Sequence, residues 1–249
     1  MGLETALHEI DRLKSQIEAL GPLPAETLAS LREDWEVVHT YNSNAIEGNT
    51  LTLGETKAVL LDGITISGKP LREHLEAVNH REAMRLMFRM AETSKPVTES
   101  DVLELHRVIL TGIQSDEAGM YRCVPVRVAG SMRVFPNALK VAALMAEMLR
   151  DINETTRHPV QKAARAHYGL VAIHPFVDGN GRTARLLMNL LLLRAGYAPA
   201  LLQVTERARY YDTLEAANQG EIEGFDRLIA EAVLGAEGRI LDILTSTRS

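Results

Sequence analysis

A short polar turn between two apolar helices constrains this chain more than any other feature. Residues 160–173 place apolar side chains at spacings of three and four, which predicts a helix. His174 precedes a proline and should end that helix, because such a residue is pushed out of the helical region. A second apolar helix is predicted from Arg182, with Gly196 placed to end it. The turn between them therefore leads directly into a helix N-terminus.

The turn carries an unusual set of chemical groups. Residues 174–185 read His-Pro-Phe-Val-Asp-Gly-Asn-Gly-Arg-Thr-Ala-Arg. Backbone N–H groups and the positive end of the helix dipole meet at a helix N-terminus and favour an anion there. Arg182 and Arg185 share one face of the first helical turn, where they oppose the dipole unless an anionic ligand is present. Each residue alone is an ordinary turn or helix-end residue. Together they predict a polyphosphate site beside a proton-transfer group.

This turn resembles the signature of the Fic family, His-x-Phe-x-Asp/Glu-Gly-Asn-Gly-Arg-x-x-Arg. Every fixed position matches: His174, Phe176, Asp178, Gly179, Asn180, Gly181, Arg182 and Arg185. Residues 119–122 and 126–131 resemble the family's flap, and residues 209–220 resemble its nucleotide-closing helix. The resemblance therefore covers roughly residues 35–235. It implies an all-α, mainly helical Fic fold with a short β-hairpin flap, and transfer of AMP from ATP to a protein hydroxyl.

The signature residues can be given chemical roles. Phosphoryl-type transfer depends on positioning and charge neutralisation more than on covalent catalysis. His174 is the expected general base for a Ser, Thr or Tyr hydroxyl, because imidazole titrates near neutral pH. Asp178 is expected to hold Mg²⁺ (or Mn²⁺), because a carboxylate is a hard oxygen ligand. The other expected ATP contacts are the backbone of Gly179, Asn180 and Gly181 and the guanidiniums of Arg182 and Arg185, with Thr183 and Ala184 as ordinary first-turn residues beside them.

Two further segments are expected near the nucleotide. Residues 124–134 are rich in valine and interrupted by glycine, which predicts a short two-stranded hairpin. The flap is taken as about residues 122–135, and a target protein would bind along its edge as an added strand. The flap residues expected near the nucleotide are Ala129, Gly130, Ser131 and Met132. The resemblance also places Tyr210, Tyr211 and Asn218 around the adenine and ribose, although a Tyr pair on a helix is more often core.

A second motif lies far upstream, where a helix expected to begin near Pro24 ends. Read by itself, Gly48 is a glycine that ends a helix. The string Ser-x-x-x-Glu-Gly formed by Ser43, Glu47 and Gly48 resembles the inhibitory motif of many Fic proteins. There the glutamate pairs with the second arginine of the signature, here Arg185, which then cannot hold the γ-phosphate of ATP. A misplacement of about 1 Å can cost about a hundredfold in rate.

The upstream motif implies an intramolecular brake that needs no separate inhibitory partner. Glu47 could alternatively position a water that removes AMP from the modified target, and the sequence leaves both roles open. We therefore divide the chain into a regulatory region of residues 1–50 and a Fic catalytic core of residues 51–249.

The remaining helices follow from periodicity and caps. An apolar stripe in residues 3–20 predicts a helix that packs either on the core or on another chain. Capping boxes at residues 52–55 and 98–101 begin two more helices. His106 and His167 are expected at helix interfaces rather than at a metal. After the signature, three helices are predicted, over residues 206–220, 222–233 and 237–244.

Composition limits the class of function. The net charge is −6 and no basic run occurs, which argues against nucleic-acid binding. A single cysteine, Cys123, fits a reducing, cytoplasmic location. No apolar run approaches the roughly 18 residues that a membrane span needs. The expected partner is a target protein, with self-modification also expected, and a homodimer is left open because dimers are common in the family.

Two alternatives to AMP transfer remain open from the sequence. One is transfer of another nucleotide or phosphoryl group on the same fold, although such enzymes tend to depart from the signature and this chain does not. The other is a non-catalytic nucleotide-binding regulator, against which the intact His174 and Asp178 argue. The identity of the target protein is not written in the sequence.

Overall fold

The chain folds into ten α-helices, as a computed structural model that describes residues 2–22, 24–127 and 134–246. The helices are α1 (Leu3–Leu20), α2 (Ala25–Ile46), α3 (Leu53–Lys57), α4 (Leu71–Ala91), α5 (Glu99–Leu110), α6 (Val141–Glu154), α7 (Pro159–Ile173), α8 (Asn180–Arg194), α9 (Arg207–Asn218) and α10 (Glu223–Ser246). The mainly helical class that the sequence predicted is confirmed. Within the described ranges, no helix is long and apolar enough to cross a membrane.

Helix α8 is the centre of the structure. Almost all of its side chains are buried, including the polar ones of its first turn. Helices α7, α4 and α5 pack around it, and α6 packs on α7. A helix that is buried on all sides needs its polar end groups satisfied by neighbouring elements. The first turn of α8 is therefore the point where several helices must meet.

Helix α1 packs on α10 of the same chain, which decides between the two packings that the sequence left open. Its buried face consists of Leu3, Ala6, Leu7, Ile10 and Leu13. Asp11 anchors the helix further, because its Oδ1 accepts hydrogen bonds from the Tyr197 hydroxyl (2.6 Å) and from the ring of His158 (3.1 Å).

Both predicted capping boxes are present in the structure. Thr52 with Glu55 forms a complete capping box before α3, and Thr98 with Asp101 forms another before α5. Helix α3 then widens into a π-helical turn, Ala58–Asp62, so the helical stretch that begins at this capping box continues to Asp62.

The prediction of two separate C-terminal helices is wrong. Residues 222–233 and 237–244 belong to a single helix, α10. Gly235 and Gly238 lie inside it, each costing about 1 kcal/mol relative to alanine. Buried Val233, Ala236 and Leu244 continue one apolar face across both glycines, and that burial outweighs the local cost.

The predicted β-hairpin flap is not confirmed. Residues 122–127 and 134–135 are described and contain no strand. Ala129, Gly130, Ser131 and Met132, which were expected near the nucleotide, lie outside the described residues. The hairpin and its contacts therefore stay predictions.

Four of the buried histidines in this helical core have lowered pKa values. Burial lowers the pKa of His39 and of His106 to about 4, and it lowers the pKa of His80 and His167 well below the usual range. The positive charge of Arg185 lowers the last two further. All four rings are therefore neutral in the folded chain at neutral pH.

Replacing Ile10 by alanine is expected to destabilise the chain by about 2–5 kcal/mol, because the residue is 0% exposed between α1 and α10. Gln16→Ala, at an exposed position of α1, is the matched control and should change stability by less than about 0.5 kcal/mol. Urea denaturation measures both. Equal stabilities for the two variants would mean that α1 does not dock on its own chain.

The free energy of unfolding is expected to fall as the pH decreases from about 6.5 to about 5. In this range the four histidines bind protons in the unfolded chain but stay neutral in the folded chain, because their pKa values are lowered there. Each of the four histidines contributes up to about 1.4 kcal/mol per pH unit. Urea denaturation at several pH values measures the slope, and a flat profile would contradict the prediction. Asp226 and Glu237, whose pKa values burial raises, act in the opposite sense.

Candidate active site

The turn between α7 and α8 is held in shape by its own side chains. His174 ends α7 with φ 54° and ψ 60°, the one non-glycine residue with positive φ in the described ranges. The Asn180 amide pairs with both backbone groups of Phe176: its Oδ1 accepts from the N–H and its Nδ2 donates to the carbonyl, each at 2.9 Å. The side chain of Asn180 therefore shapes the loop, and its backbone remains the part that a phosphate could contact.

The stacked rings of Phe176 and His106 pack against the signature turn. The fully buried Phe176 ring stacks on His106 with centroids 3.6 Å apart. His106 Nδ1 accepts the Gly119 N–H at 2.9 Å, so the proton of the neutral ring resides on Nε2, which lies 3.0 Å from the Asp178 carbonyl oxygen and donates to it. His106 lies at a helix interface, as expected, and it also fixes the backbone of the signature turn.

Arg122 ties the turn to both ends of the segment predicted as the flap. Its Nε donates to the His174 carbonyl at 2.7 Å, and its Nη2 donates to the Pro136 carbonyl at 2.6 Å. Its backbone N–H donates to the Pro175 carbonyl at 2.9 Å. The guanidinium is buried and faces carbonyl oxygens, and burial lowers its pKa. Arg122 is predicted only as part of the flap segment, and no pattern in the sequence indicates these contacts.

His174 is oriented by two neighbours. Its Nδ1 lies 3.4 Å from the Val171 carbonyl, and its ring lies 4.3 Å from the Phe135 ring between centroids. If Nδ1 donates to that carbonyl, Nε2 is the basic nitrogen of the neutral ring. In that tautomer, Nε2 is the nitrogen through which the expected general base can take a proton.

Arg185 is the most densely bonded charged residue of the turn. It is 5% exposed, and its Nε donates to the Ser43 hydroxyl while its Nη2 donates to the Ser43 carbonyl, each at 2.9 Å. Nη2 also donates to Glu47 Oε1 at 2.8 Å, and Nη1 lies 3.5 Å from the Tyr210 hydroxyl. Burial would lower the pKa of Arg185, but the charge of Glu47 and the Tyr210 hydroxyl outweigh it and raise the pKa. The ion pair that the resemblance implied between Arg185 and Glu47 is present.

Two arginines from other helices cap the C-terminus of α2. A helix leaves its last four carbonyls without partners inside the helix. Arg185 binds the Ser43 carbonyl and Arg207 binds the Ile46 carbonyl at 2.8 Å. The two carbonyls between them accept from the backbone N–H groups that follow the helix. Gly48, with φ 99°, turns the chain away immediately after Glu47.

The carboxylate of Glu47 lies directly over the backbone of Gly181. A Cβ atom added to Gly181 would collide with Glu47 Oε1. Glycine is therefore needed at this position while the carboxylate is in place. The N-terminus of α8, where the sequence predicts an anion, is the place where this carboxylate lies.

Asp178, the expected metal ligand, binds two arginines. Its Oδ1 accepts from the Gly179 N–H (2.6 Å) and from Arg182 Nη2 (3.2 Å), and its Oδ2 accepts from Arg72 Nη2 (2.5 Å). Burial would raise the pKa of Asp178, but Arg182, the Gly179 N–H and Arg72 outweigh it and lower the pKa. The carboxylate is therefore ionised at neutral pH.

The donor set fits a metal that arrives with the nucleotide. In the described part of the chain, no group of three His, Cys, Asp or Glu side chains could hold a metal ion. Mg²⁺ commonly binds through one or two carboxylates, several waters and substrate phosphates. Asp178 as a single ionised carboxylate beside an anion site matches that pattern, and it does not match a metal held by protein side chains alone.

Of the other residues expected to contact the nucleotide, the structure places only some near the signature turn. The side chains of Thr183 and Ala184 are fully buried and therefore face the core. Tyr210 reaches the turn through Arg185, and its hydroxyl forms a hydrogen bond with His167 Nε2 at 3.2 Å. Tyr211 lies beside it, with the Arg207 guanidinium 4.9 Å from its ring. Asn218 instead accepts from the Tyr168 hydroxyl on α7 at 3.3 Å.

Comparison with known proteins agrees with the signature. Residues 96–192 match the Fic/DOC family. "Protein adenylyltransferase fic-1" of Caenorhabditis briggsae is 41% identical over 197 residues, which are 78% of this chain and 39% of that protein. "Protein adenylyltransferase Fic" of Drosophila melanogaster is 41% identical over 227 residues, which are 89% of this chain and 46% of that protein. The chain thus spans less than half the length of these relatives.

Solved structures match the whole helical arrangement. "Fic-1 (aa134 - 508)" from C. elegans superposes with a TM-score of 0.87 at 33% identity, covering 98% of this chain and 73% of that one. A Fic domain containing signaling protein from Bacteroides thetaiotaomicron gives a TM-score of 0.88 at 28% identity, covering 96% and 97%. The matched region includes the signature turn and nearly all of the helices around it. The chain belongs to the Fic/DOC family.

Proposed function

We propose that this chain is an auto-inhibited protein adenylyltransferase. It transfers AMP from ATP to a Ser, Thr or Tyr hydroxyl of a target protein or of itself. The observation that carries the proposal is the Glu47 carboxylate, bound to Arg185 at 2.8 Å and lying over Gly181 at the N-terminus of α8. The names of the relatives, protein adenylyltransferases at 41% identity, support the class of reaction.

The N-terminal end of α8 has the properties of a polyphosphate site. It combines a helix N-terminus with two buried arginines of its first two turns, Arg182 and Arg185. Guanidiniums bind phosphate oxygens through paired N–H groups, and burial strengthens such contacts. The carboxylate of Glu47 already demonstrates that an anionic group fits beside Arg185. ATP would place its phosphates in this position.

The transfer step requires a base and a leaving group. The target hydroxyl oxygen forms a bond to the α-phosphorus of ATP, and the bond from that phosphorus to the bridging oxygen breaks, which releases pyrophosphate. His174 takes the hydroxyl proton on Nε2. Mg²⁺ held by Asp178 would neutralise charge on the phosphate oxygens when bound. The remaining residues of the turn position the α-phosphorus for in-line attack.

The proposed inhibition follows from competition between Glu47 and the γ-phosphate of ATP for the Arg185 guanidinium. Arg185 cannot hold the γ-phosphate while Glu47 occupies its Nη2 group, so bound ATP has its α-phosphate out of line. Ser43 strengthens the inhibited arrangement because its hydroxyl and its carbonyl bind the same guanidinium. Release of Glu47 leaves a buried positive charge without its carboxylate, and a phosphate oxygen relieves that cost.

Removal of AMP from a modified target is a second candidate function of the same site. The Glu47 side chain is 35% exposed, and among the described residues only Arg185 binds its carboxylate, through Oε1. Oε2 can therefore accept the proton of a water whose oxygen bonds to the phosphorus of the attached AMP. The bond from that phosphorus to the target's side-chain oxygen breaks, this oxygen takes a proton from His174 in its protonated form, and AMP is released. This activity and the brake use the same carboxylate in different complexes.

Glu47→Gly is expected to raise self-labelling from α-labelled ATP by about a hundredfold, because Arg185 becomes available to the γ-phosphate. Glu47→Gln, which keeps the size and removes the charge, should give a smaller rise. His174→Ala, alone or with Glu47→Gly, should abolish labelling. Incorporation of label into the chain in the presence of Mg²⁺ is the measurement.

Glu33→Gln is the matched control for Glu47→Gln, because Glu33 is an exposed glutamate on the same helix α2. It should label like the unmodified chain. A thermal unfolding measurement first checks that the unmodified chain and Glu47→Gly are both folded. Equal labelling of the two folded chains would then refute the inhibitory role of Glu47.

The transferred group and the acceptor can be identified together. The Glu47→Gly chain is incubated with a mixture of nucleotides and a cell lysate, and modified peptides are analysed by mass spectrometry. An added AMP on a Ser, Thr or Tyr side chain is expected. Addition of another nucleotide or of phosphate would replace the proposed reaction by a different transfer on the same fold.

A further inference from the structure

Arg72 on α4 forms an ion pair with Asp178, the carboxylate that is expected to bind the metal. Arg72 Nη2 donates to Asp178 Oδ2 at 2.5 Å, across 106 positions of sequence. The Arg72 side chain is 52% exposed, so it can leave the carboxylate without disturbing the core. Arg182, the other cation on Asp178, is 3% exposed and fixed in the first turn of α8. The two arginines therefore differ in how easily they can be displaced.

Glu76, one turn further along α4, holds Arg72 in this position. Its Oε1 accepts from Arg72 Nε at 3.1 Å and lies 3.6 Å from Arg182 Nη1. Its Oε2 accepts from Asn49 Nδ2 at 2.9 Å, just beyond the Glu47-Gly48 turn. Glu76 is mostly buried, so its carboxylate is a rigid support for both guanidiniums.

The four charges of this cluster balance. Asp178 and Glu76 contribute two negative charges, and Arg72 and Arg182 contribute two positive charges. A divalent cation on Asp178 would place two further positive charges within contact distance of Arg72. Like charges at such separations repel strongly in a partly buried site. Metal and Arg72 therefore cannot share Asp178 Oδ2.

We infer that Arg72 is a resident cation on Asp178, which the divalent metal must displace before the nucleotide binds in its metal-dependent mode. Arg72 thereby raises the Mg²⁺ concentration that tight nucleotide binding requires. This inference rests on the proposed function, because the role of Asp178 as metal ligand does. It acts at a different atom from the brake: Glu47 competes for Arg185, whereas Arg72 competes for Asp178.

Calorimetric titration of the full chain with a non-hydrolysable ATP analogue, at a series of Mg²⁺ concentrations, tests the inference without measuring turnover. The readout is the Mg²⁺ concentration at which half of the metal-dependent gain in affinity is reached. Arg72→Gln should lower this concentration by about three- to fivefold, the upper part of the range for one partly exposed ion pair. Arg72→Lys keeps the positive charge but loses the planar fork, and its value should lie between the two.

Arg89→Gln is the matched control. Arg89 is exposed on the same helix, 17 residues further along, which is about 25 Å at the helical rise. It changes the net charge equally and should leave the Mg²⁺ requirement unchanged. Measurements in the Glu47→Gly chain should give the same shift for Arg72→Gln, because the two contacts use different atoms.

The outcomes separate this inference from the proposed function. An unchanged Mg²⁺ requirement in Arg72→Gln, with nucleotide binding intact, overturns the inference and leaves the proposed function standing. A raised requirement or weaker binding overturns it too, and assigns Arg72 to the phosphates instead. Failure of every variant and of the unmodified chain to bind the analogue overturns the proposed function and the inference with it.

Discussion

A buried guanidinium that needs an anion organises this structure. Arg185 lies in the second turn of a helix that is enclosed on all sides, and removal of one partner from a buried ion pair commonly costs about 3–5 kcal/mol. The C-terminus of α2 supplies the anion and receives in return a cap for its Ser43 carbonyl. An arginine is unfavourable near the N-terminus of α8 and a carboxylate is unfavourable at the C-terminus of α2, because each opposes the dipole of its helix. The ion pair between Arg185 and Glu47 offsets both unfavourable interactions. This exchange explains why α2 ends against α8.

The features that sequence could predict are those encoded over short distances. The turn at residues 174–185 carries eight fixed positions in twelve, and its helices are bounded by a proline and glycines. Helix α5 begins one residue after Thr98 and ends at Leu110, as its capping box and periodicity indicate. The partner of Arg185 was available only through the resemblance to a family, since nothing in the spacing of Glu47 from Arg185 indicates contact.

The features that sequence could not predict depend on tertiary packing. Arg72 and Asp178 are 106 positions apart, and Arg72 stands among ordinary exposed helix residues with no local signal of its contact. The role of Arg122 depends on the His174 carbonyl of the signature turn together with the Val124 and Pro136 carbonyls of its own segment, which no pattern of residue types records. The continuous helix α10 was missed because local propensity gives glycine more weight than a shared buried face does. In each case the deciding energy is a contact between segments that are distant in sequence.

The position of Glu47 and Arg185 in the same chain has a consequence for how inhibition depends on protein concentration. The two residues are 138 positions apart in one chain, so the carboxylate meets the guanidinium as a tethered competitor with an effective concentration that the fold sets. Dilution, expression level and stoichiometry leave that concentration unchanged, unlike the occupancy of a separate inhibitor. Under the proposed function, ATP must therefore overcome the same threshold in every copy of the chain. Only a change in the fold around α2, or a partner that holds α2 away, alters that threshold.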